Sequence, residues 1–216
     1  FETGDVLGAL QSLAQASAKG RFADDRIAML TARYDYFLNE GASDAVALGM
    51  GAFTLPLEHL GMLRQVGQEA VEQVHSLSVA GQFNEALKIA QDVSTLGRTV
   101  SSSGRFLVHD RVGIAMEQAG LTEQRQIYEA QGDLRQVQTI DTKLQTLQDR
   151  SATIDTMAQA FGAVMGSMTD EDLAAYVDST ILNGEFTTLQ NLPEIAEALK
   201  QARETPPEQP AQTPIP

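Results

Sequence analysis

Apolar positions recur at helical spacing along most of this chain, and the most regular run lies between Asp133 and Met165. Val137, Ile140, Leu144, Leu147, Ser151, Ile154, Ala158, Phe161 and Met165 alternate steps of three and four residues. That period keeps one side of a helix turned toward a neighbouring helix. No Gly or Pro interrupts Asp133 to Phe161, so a helix of roughly 45 to 50 Å is expected at about 1.5 Å per residue. Asp133, with Gln136 three residues later, supplies its start signal.

The same spacing predicts helices before and after it. Val6, Leu7, Leu10, Leu13 and Ala14 share one face, as do Ile27, Leu30, Tyr34, Phe37 and Leu38. Pro56 suits a first helical turn, and Leu57, Leu60, Leu63, Val66, Val71, Val74 and Leu77 follow it as a third face. Phe83 to Val93 reads as a helix ending near Gly97, followed by the polar run Thr99 to Ser103. Val108 to Met116 reads as another ending at Gly120, and a short one around Ile127 and Tyr128 stops at Gly132. Thr169 is an expected N-cap whose Asp170, Glu171 and Asp172 complement the helix dipole, and Pro193 opens a last helix. Alternating β-branched runs are missing, so no strand is predicted.

The expected architecture is all-α: a multi-helix bundle of antiparallel helical hairpins around the long helix, residues 133–165. Residues 1–204 form one domain, and 205–216, with five of the seven prolines, an extended solvated tail. The long seam has two readings. Its flanks, among them Asp141, Lys143, Gln148, Arg150, Asp155 and Met157, carry no charge ladder of their own, and Ser151 and Ala158 make its centre small. Those features describe a spine packed by its own chain; a homodimer along the seam is the second reading.

Four segments repeat a local pattern: Gly20-Arg21-Phe22, Gly81-Gln82-Phe83, Gly132-Asp133-Leu134 and Gly184-Glu185-Phe186. Each reads as a helical hairpin turn, with glycine in the left-handed region and the apolar residue two positions on folding back on the preceding helix. The run Gly81-Gln82-Phe83-Asn84-Glu85-Ala86-Leu87, continued by Ala90, resembles the turn and second-helix start of a tetratricopeptide repeat. That resemblance implies a concave peptide-binding groove. The four glycines stand 61, 51 and 52 residues apart, whereas such repeats return about every 34 residues. The likeness is therefore one of hairpins. Leu96-Gly97-Arg98-Thr99-Val100 with Val112-Gly113-Ile114-Ala115 is similar in style to helical proteins of bacterial envelopes. It implies an envelope or periplasmic location with an N-terminal anchor; the cytoplasm is the alternative.

Charge narrows the partners. Twenty-nine acidic against 15 basic residues leave a formal charge of −14, which repels nucleic acid and anionic lipid. A protein partner is expected and nucleic acid is not. Cysteine is absent, so there is no thiolate ligand or nucleophile. Uncharged stretches such as Val6 to Ala18 fall short of the ~20 residues a membrane-spanning helix needs. Phe1 in place of Met leads us to expect a removed upstream segment, a signal peptide or a membrane tether.

Candidate chemistry is sparse. His59, His75 and His109 lack the four-residue pairing of a zinc site, although two of them have a carboxylate neighbour, Glu58 beside His59 and Asp110 beside His109. Ser101, Ser102 and Ser103, flanked by Arg98 and Arg105, form the nearest approach to a phosphate cradle, but a polar connection is the preferred reading and an anion site the alternative. They lack the Gly-x-Ser-x-Gly setting of a hydrolase nucleophile. Tyr36 is the ligand-facing candidate of the Arg33–Phe37 cluster. No catalytic, cofactor or metal assignment follows. The expected function is a non-enzymatic scaffold or protein-interaction module, tethered in an envelope; the alternative is a small-ligand-binding or metal-dependent helical enzyme with an interhelical pocket.

Overall fold

The computed structural model describes residues 58–103 and 106–204, together with 35–43 and the helical positions 8, 12, 32 and 47. Of the expected helix over 6–14 only positions 8 and 12 are described, and of that over 27–38 only 32 and 35–38; the Gly20 turn and the tail fall outside the described residues. Among the described residues from 58 onward, seven helices follow one another: α1 Glu58–Val79, α2 Phe83–Ser103, α3 Leu107–Ala130, α4 Leu134–Met165, α5 Asp170–Asn183, α6 Glu185–Gln190 and α7 Pro193–Glu204. The protein is an all-α multi-helix bundle, with no strand among the described residues. None of these helices is long and apolar enough to cross a membrane.

Glycine-closed turns join the first helices. At the α1–α2 turn Gly81 has φ 75°; its N–H donates to the Ser78 carbonyl, and that of Gln82 reaches back to Leu77. Gly132 between α3 and α4 repeats the geometry, with φ 75° and an Asp133 N–H to Tyr128 bond. A side chain at such a φ crowds its own backbone, so glycine closes these turns. Gly41, which was not among the predicted turns, closes the 35–39 helical turn in the same way, at φ 86°. Phe83 folds back on the core as expected. Leu134 does not: at the first position of α4, after the Asp133 cap, it is 69% exposed.

Two apolar clusters share α3 as their common wall. Leu63, Val74, Ala90, Val93 and Leu96 of α1 and α2 meet Met116 and Ile127 of α3. From the opposite side, Leu107, Ile114 and Leu121 of α3 pack with Ile140, Leu147 and Ile154 of α4, and with Leu189 and Ile195 of α6 and α7. The α4 seam is thus buried by its own chain at Val137, Ile140, Leu147 and Ile154. Met157, expected on the flank, is fully buried and widens the seam.

The predicted helix ends at Gly97 and Gly120 are corrected. Both α2 and α3 run through these glycines, and through Gly113, without a break. A Cβ at Gly97 would stand 2.4 Å from the Glu117 backbone nitrogen; one at Gly120 would stand 2.6 Å from the Ala90 carbonyl oxygen. These glycines mark where two backbones touch, a demand unrelated to chain reversal.

Candidate functional site

The serine run occupies the last turn of α2, not a loop. Ser101 Oγ donates to the Arg98 carbonyl at 3.1 Å and Ser102 Oγ to Thr99 at 3.2 Å. A helix C-terminus presents carbonyl oxygens and partial negative charge, the wrong polarity for an anion. Ser101 is buried against Gly113, where an added Cβ would meet the Ser101 Cβ at 2.7 Å. Arg98 pairs with Glu117 of α3, Nε to Oε1 at 2.9 Å. The candidate phosphate cradle is therefore not assembled by Arg98, Ser101 and Ser102. The Ser103 side chain and Arg105 lie outside the described residues.

The N-terminus of α3 does hold an anion, and it belongs to the protein. Glu185 Oε2 accepts the Leu107 N–H at 2.7 Å, and Glu185 Oε1 accepts the Tyr176 hydroxyl proton at 2.7 Å. Tyr176 stacks on Phe161 of α4 with ring centroids 4.6 Å apart. One α3 turn on, Asp110 is 4% exposed and bonds the Arg150 guanidinium of α4, which lies 5.8 Å from the Phe186 ring centroid. Together Asp110, Arg150, Tyr176 and Glu185 tie α3 to α4, α5 and α6.

The electrostatics of this cluster favour holding over proton exchange. Burial pushes the Asp110 carboxyl above its ordinary range; Arg150 opposes that and Glu185 adds to it. Burial, then the Glu185 charge and hydrogen bond, push the Tyr176 hydroxyl far above its ordinary value. A phenol so placed keeps its proton across the physiological range and acts as a fixed donor. Sequence periodicity could not find this cluster, since its members lie up to 75 residues apart. The one local signal was a charged residue, Glu185, directly after a predicted turn glycine.

A buried amide between α2 and α3 is engaged in the same way. Gln124 Nε2 donates to Ser94 Oγ at 3.0 Å and to the Ala90 carbonyl at 3.2 Å, across the contact made by Gly120. On the solvent side of α3 and α4, Arg111 pairs with Asp155 and Arg125 with Asp141, each at 2.6 Å. Three of the flank charges of α4 that form no ladder along one helix, Asp141, Arg150 and Asp155, find their complement on the preceding one.

Among the described histidine side chains, His75 and His109 do not come together. His75 is exposed on α1 and its charge bears on Glu123. His109 is 2% exposed in the first turn of α3, with Nδ1 3.3 Å from the Phe106 carbonyl oxygen. Glu123 and His109 are separated along α3 by about 21 Å at helical rise. The His59 side chain lies outside the described residues. No group of three or more His, Asp or Glu side chains among the described residues could hold a metal ion. Tyr36 is 58% exposed and meets Phe37 edge-on at 5.3 Å. The acidic run at the start of α5 is a cap: Thr169 and Asp172 form a reciprocal capping box. Hydrogen bonds from the Thr169 hydroxyl and N–H hold the Asp172 carboxyl below its ordinary value.

A cleft of about 390 Å³ opens between the end of α4, α5 and the α6–α7 junction; Met168, Tyr176, Leu192, Asn191, Asp172 and Glu194 are among its lining residues. Comparison with protein-family models, with curated proteins and with solved structures returns no match.

Proposed function

We propose that the chain is a non-enzymatic helical scaffold that presents its surface to a protein partner in a bacterial envelope. One observation carries the reading. The buried polar groups Asp110, Glu117 and Gln124, with half-buried Glu185, each engage another helix of the same chain, so their chemistry sets helix register and is not directed at a ligand. Such groups favour one arrangement of helices over alternatives. The tetratricopeptide-like turn at Gly81 and the envelope-like run at Leu96 support the same reading.

Photo-crosslinking tests it. A photoreactive residue at Val79, Leu134 or Leu182, all large and exposed, is expected to trap a discrete protein in the source cells. The purified pair is expected to reassociate, and Val79→Asp or Leu182→Asp to weaken that association. Turnover of a small molecule by the purified chain, abolished by Tyr176→Phe, overturns the scaffold reading. Recovery of the full-length protein only in the soluble cytoplasmic fraction overturns the envelope assignment.

A further inference from the structure

Packing α4 against its own chain leaves its opposite face, and that face has an unusual charge pattern. The outward positions lie one, two and five residues after each of Val137, Leu144, Ser151 and Ala158, with Arg135 preceding them. From Arg135 to Ala163 only two of these positions are charged, Arg135 and Asp149, although a fifth of all residues are. Between them stand Gln138, Thr139, Thr142, Gln145 and Thr146, all exposed. The threonine hydroxyls turn back onto the helix: Thr139 donates to the Arg135 carbonyl at 3.0 Å, Thr142 to Gln138 at 3.1 Å and Thr146 to Thr142 at 3.0 Å. Their hydroxyl donors are thus engaged, and methyl groups remain for contact. From Thr153 onward several outward positions become half-buried, where α7 packs along α4.

The two charges are placed symmetrically. Arg135 and Asp149 each lie seven residues, two helical turns, from Thr142. An antiparallel copy of α4 rotated about an axis through Thr142 would set each Arg135 opposite the second copy's Asp149 and Thr142 opposite itself. Isologous contacts require this self-complementarity, and opposite charges fix register as they do between paired helices. We propose that residues 135–149 of α4 form a two-fold interface with a second copy of this chain. It differs from a dimer through the apolar seam, which the chain itself buries. One short helical face makes a small contact, so the association is weak, reversible and salt-sensitive.

Charge reversal in the full chain tests this. Sedimentation equilibrium at low salt, up to millimolar concentration, is expected to show monomer and dimer. Arg135→Asp alone or Asp149→Arg alone sets like charges opposite each other and weakens dimerisation about tenfold, whereas the double reversal restores it. Because the chain has no cysteine, Thr142→Cys gives an independent reading. It is expected to form an intermolecular disulfide faster than Gln159→Cys, which lies on the same face away from the axis. All these positions are exposed, and circular dichroism checks that each variant is folded. A monomer throughout, a double reversal that fails to rescue, or equal oxidation of the two cysteine variants overturns the proposal.

Discussion

A side chain at Gly113 would place its Cβ 2.5 Å from the Gly97 carbonyl oxygen, so α2 and α3 meet with only hydrogen atoms between their backbones at this point. Gly97 makes the reciprocal demand, with its own Cβ 2.6 Å from the Gly113 oxygen. Backbone cannot retreat as a flexible side chain can, so this crossing sets how the two apolar clusters are joined through α3.

Glycine-to-alanine substitutions should consequently split by sign. Gly97→Ala and Gly113→Ala are expected to destabilise by about 3 kcal/mol or more, overpacking outweighing better helix propensity. Gly61 and Gly162 have nothing within 4 Å of an added Cβ, so alanine there is expected to stabilise by up to about 1 kcal/mol. Urea denaturation of the four variants checks both signs. Equal effects at all four would show that the α2–α3 crossing is looser than described.

The Asp110–Arg150 pair should be asymmetric. Arg150→Ala leaves a buried carboxylate without its counter-charge and is expected to cost about 2 to 4 kcal/mol at neutral pH. Asp110→Asn frees a guanidinium that reaches solvent and removes a charge that burial opposes, so about 1 kcal/mol or less is expected. Equilibrium unfolding at pH 7 ranks the two; the reverse order would place the dominant cost on the arginine side.

Acidification supplies a further check. Burial raises the carboxyls of Asp110, Asp92 and Glu123 above ordinary values of 3.8, 3.8 and 4.5, against the opposing charges of Arg150, Lys88 and His75 respectively. The folded state then binds protons more tightly than the unfolded one at these groups. Their stabilising contribution is complete below the ordinary carboxyl range and is lost as pH rises through the raised values. Relief of self-repulsion in a chain of charge −14 acts in the same direction. Asp172, held low, works oppositely from an exposed position. The denaturation midpoint is expected to fall between about pH 4 and pH 7, and the Asp110→Asn, Asp92→Asn, Glu123→Gln triple variant to flatten that slope. An unchanged slope in the triple variant would exclude these carboxyls as its source.

Glu185 should govern the mobility of α5. Its two oxygens join the α3 N-terminus to Tyr176, and Tyr176 stacks on Phe161 of α4. Glu185→Ala is expected to cost about 1 to 3 kcal/mol, and Tyr176→Phe about 0.5 to 1.5 kcal/mol. Hydrogen exchange should show faster amide exchange in α5 and at Leu107 for the glutamate variant, with α2 unchanged. Uniform acceleration across all helices would instead mean that Glu185 supports the whole fold cooperatively.

Local pattern determined a large part of this protein. Helical periodicity along 133–165, the Asp133 and Thr169 caps and the turns at Gly81 and Gly132 depend on residues within one or two turns of each other, so a linear reading captures them. Tertiary structure decided what the same residue types mean elsewhere. Gly81 and Gly97 look alike in sequence, yet one reverses the chain at positive φ and the other continues a helix under another backbone. Ser101 and Arg98 suggest a phosphate site until α3 lies over one and supplies Glu117 to the other. Asp110, Arg150, Tyr176 and Glu185 acquire their roles only when four helices meet. Backbone clearance and burial are properties of neighbours in space, and spacing along one helix does not contain them.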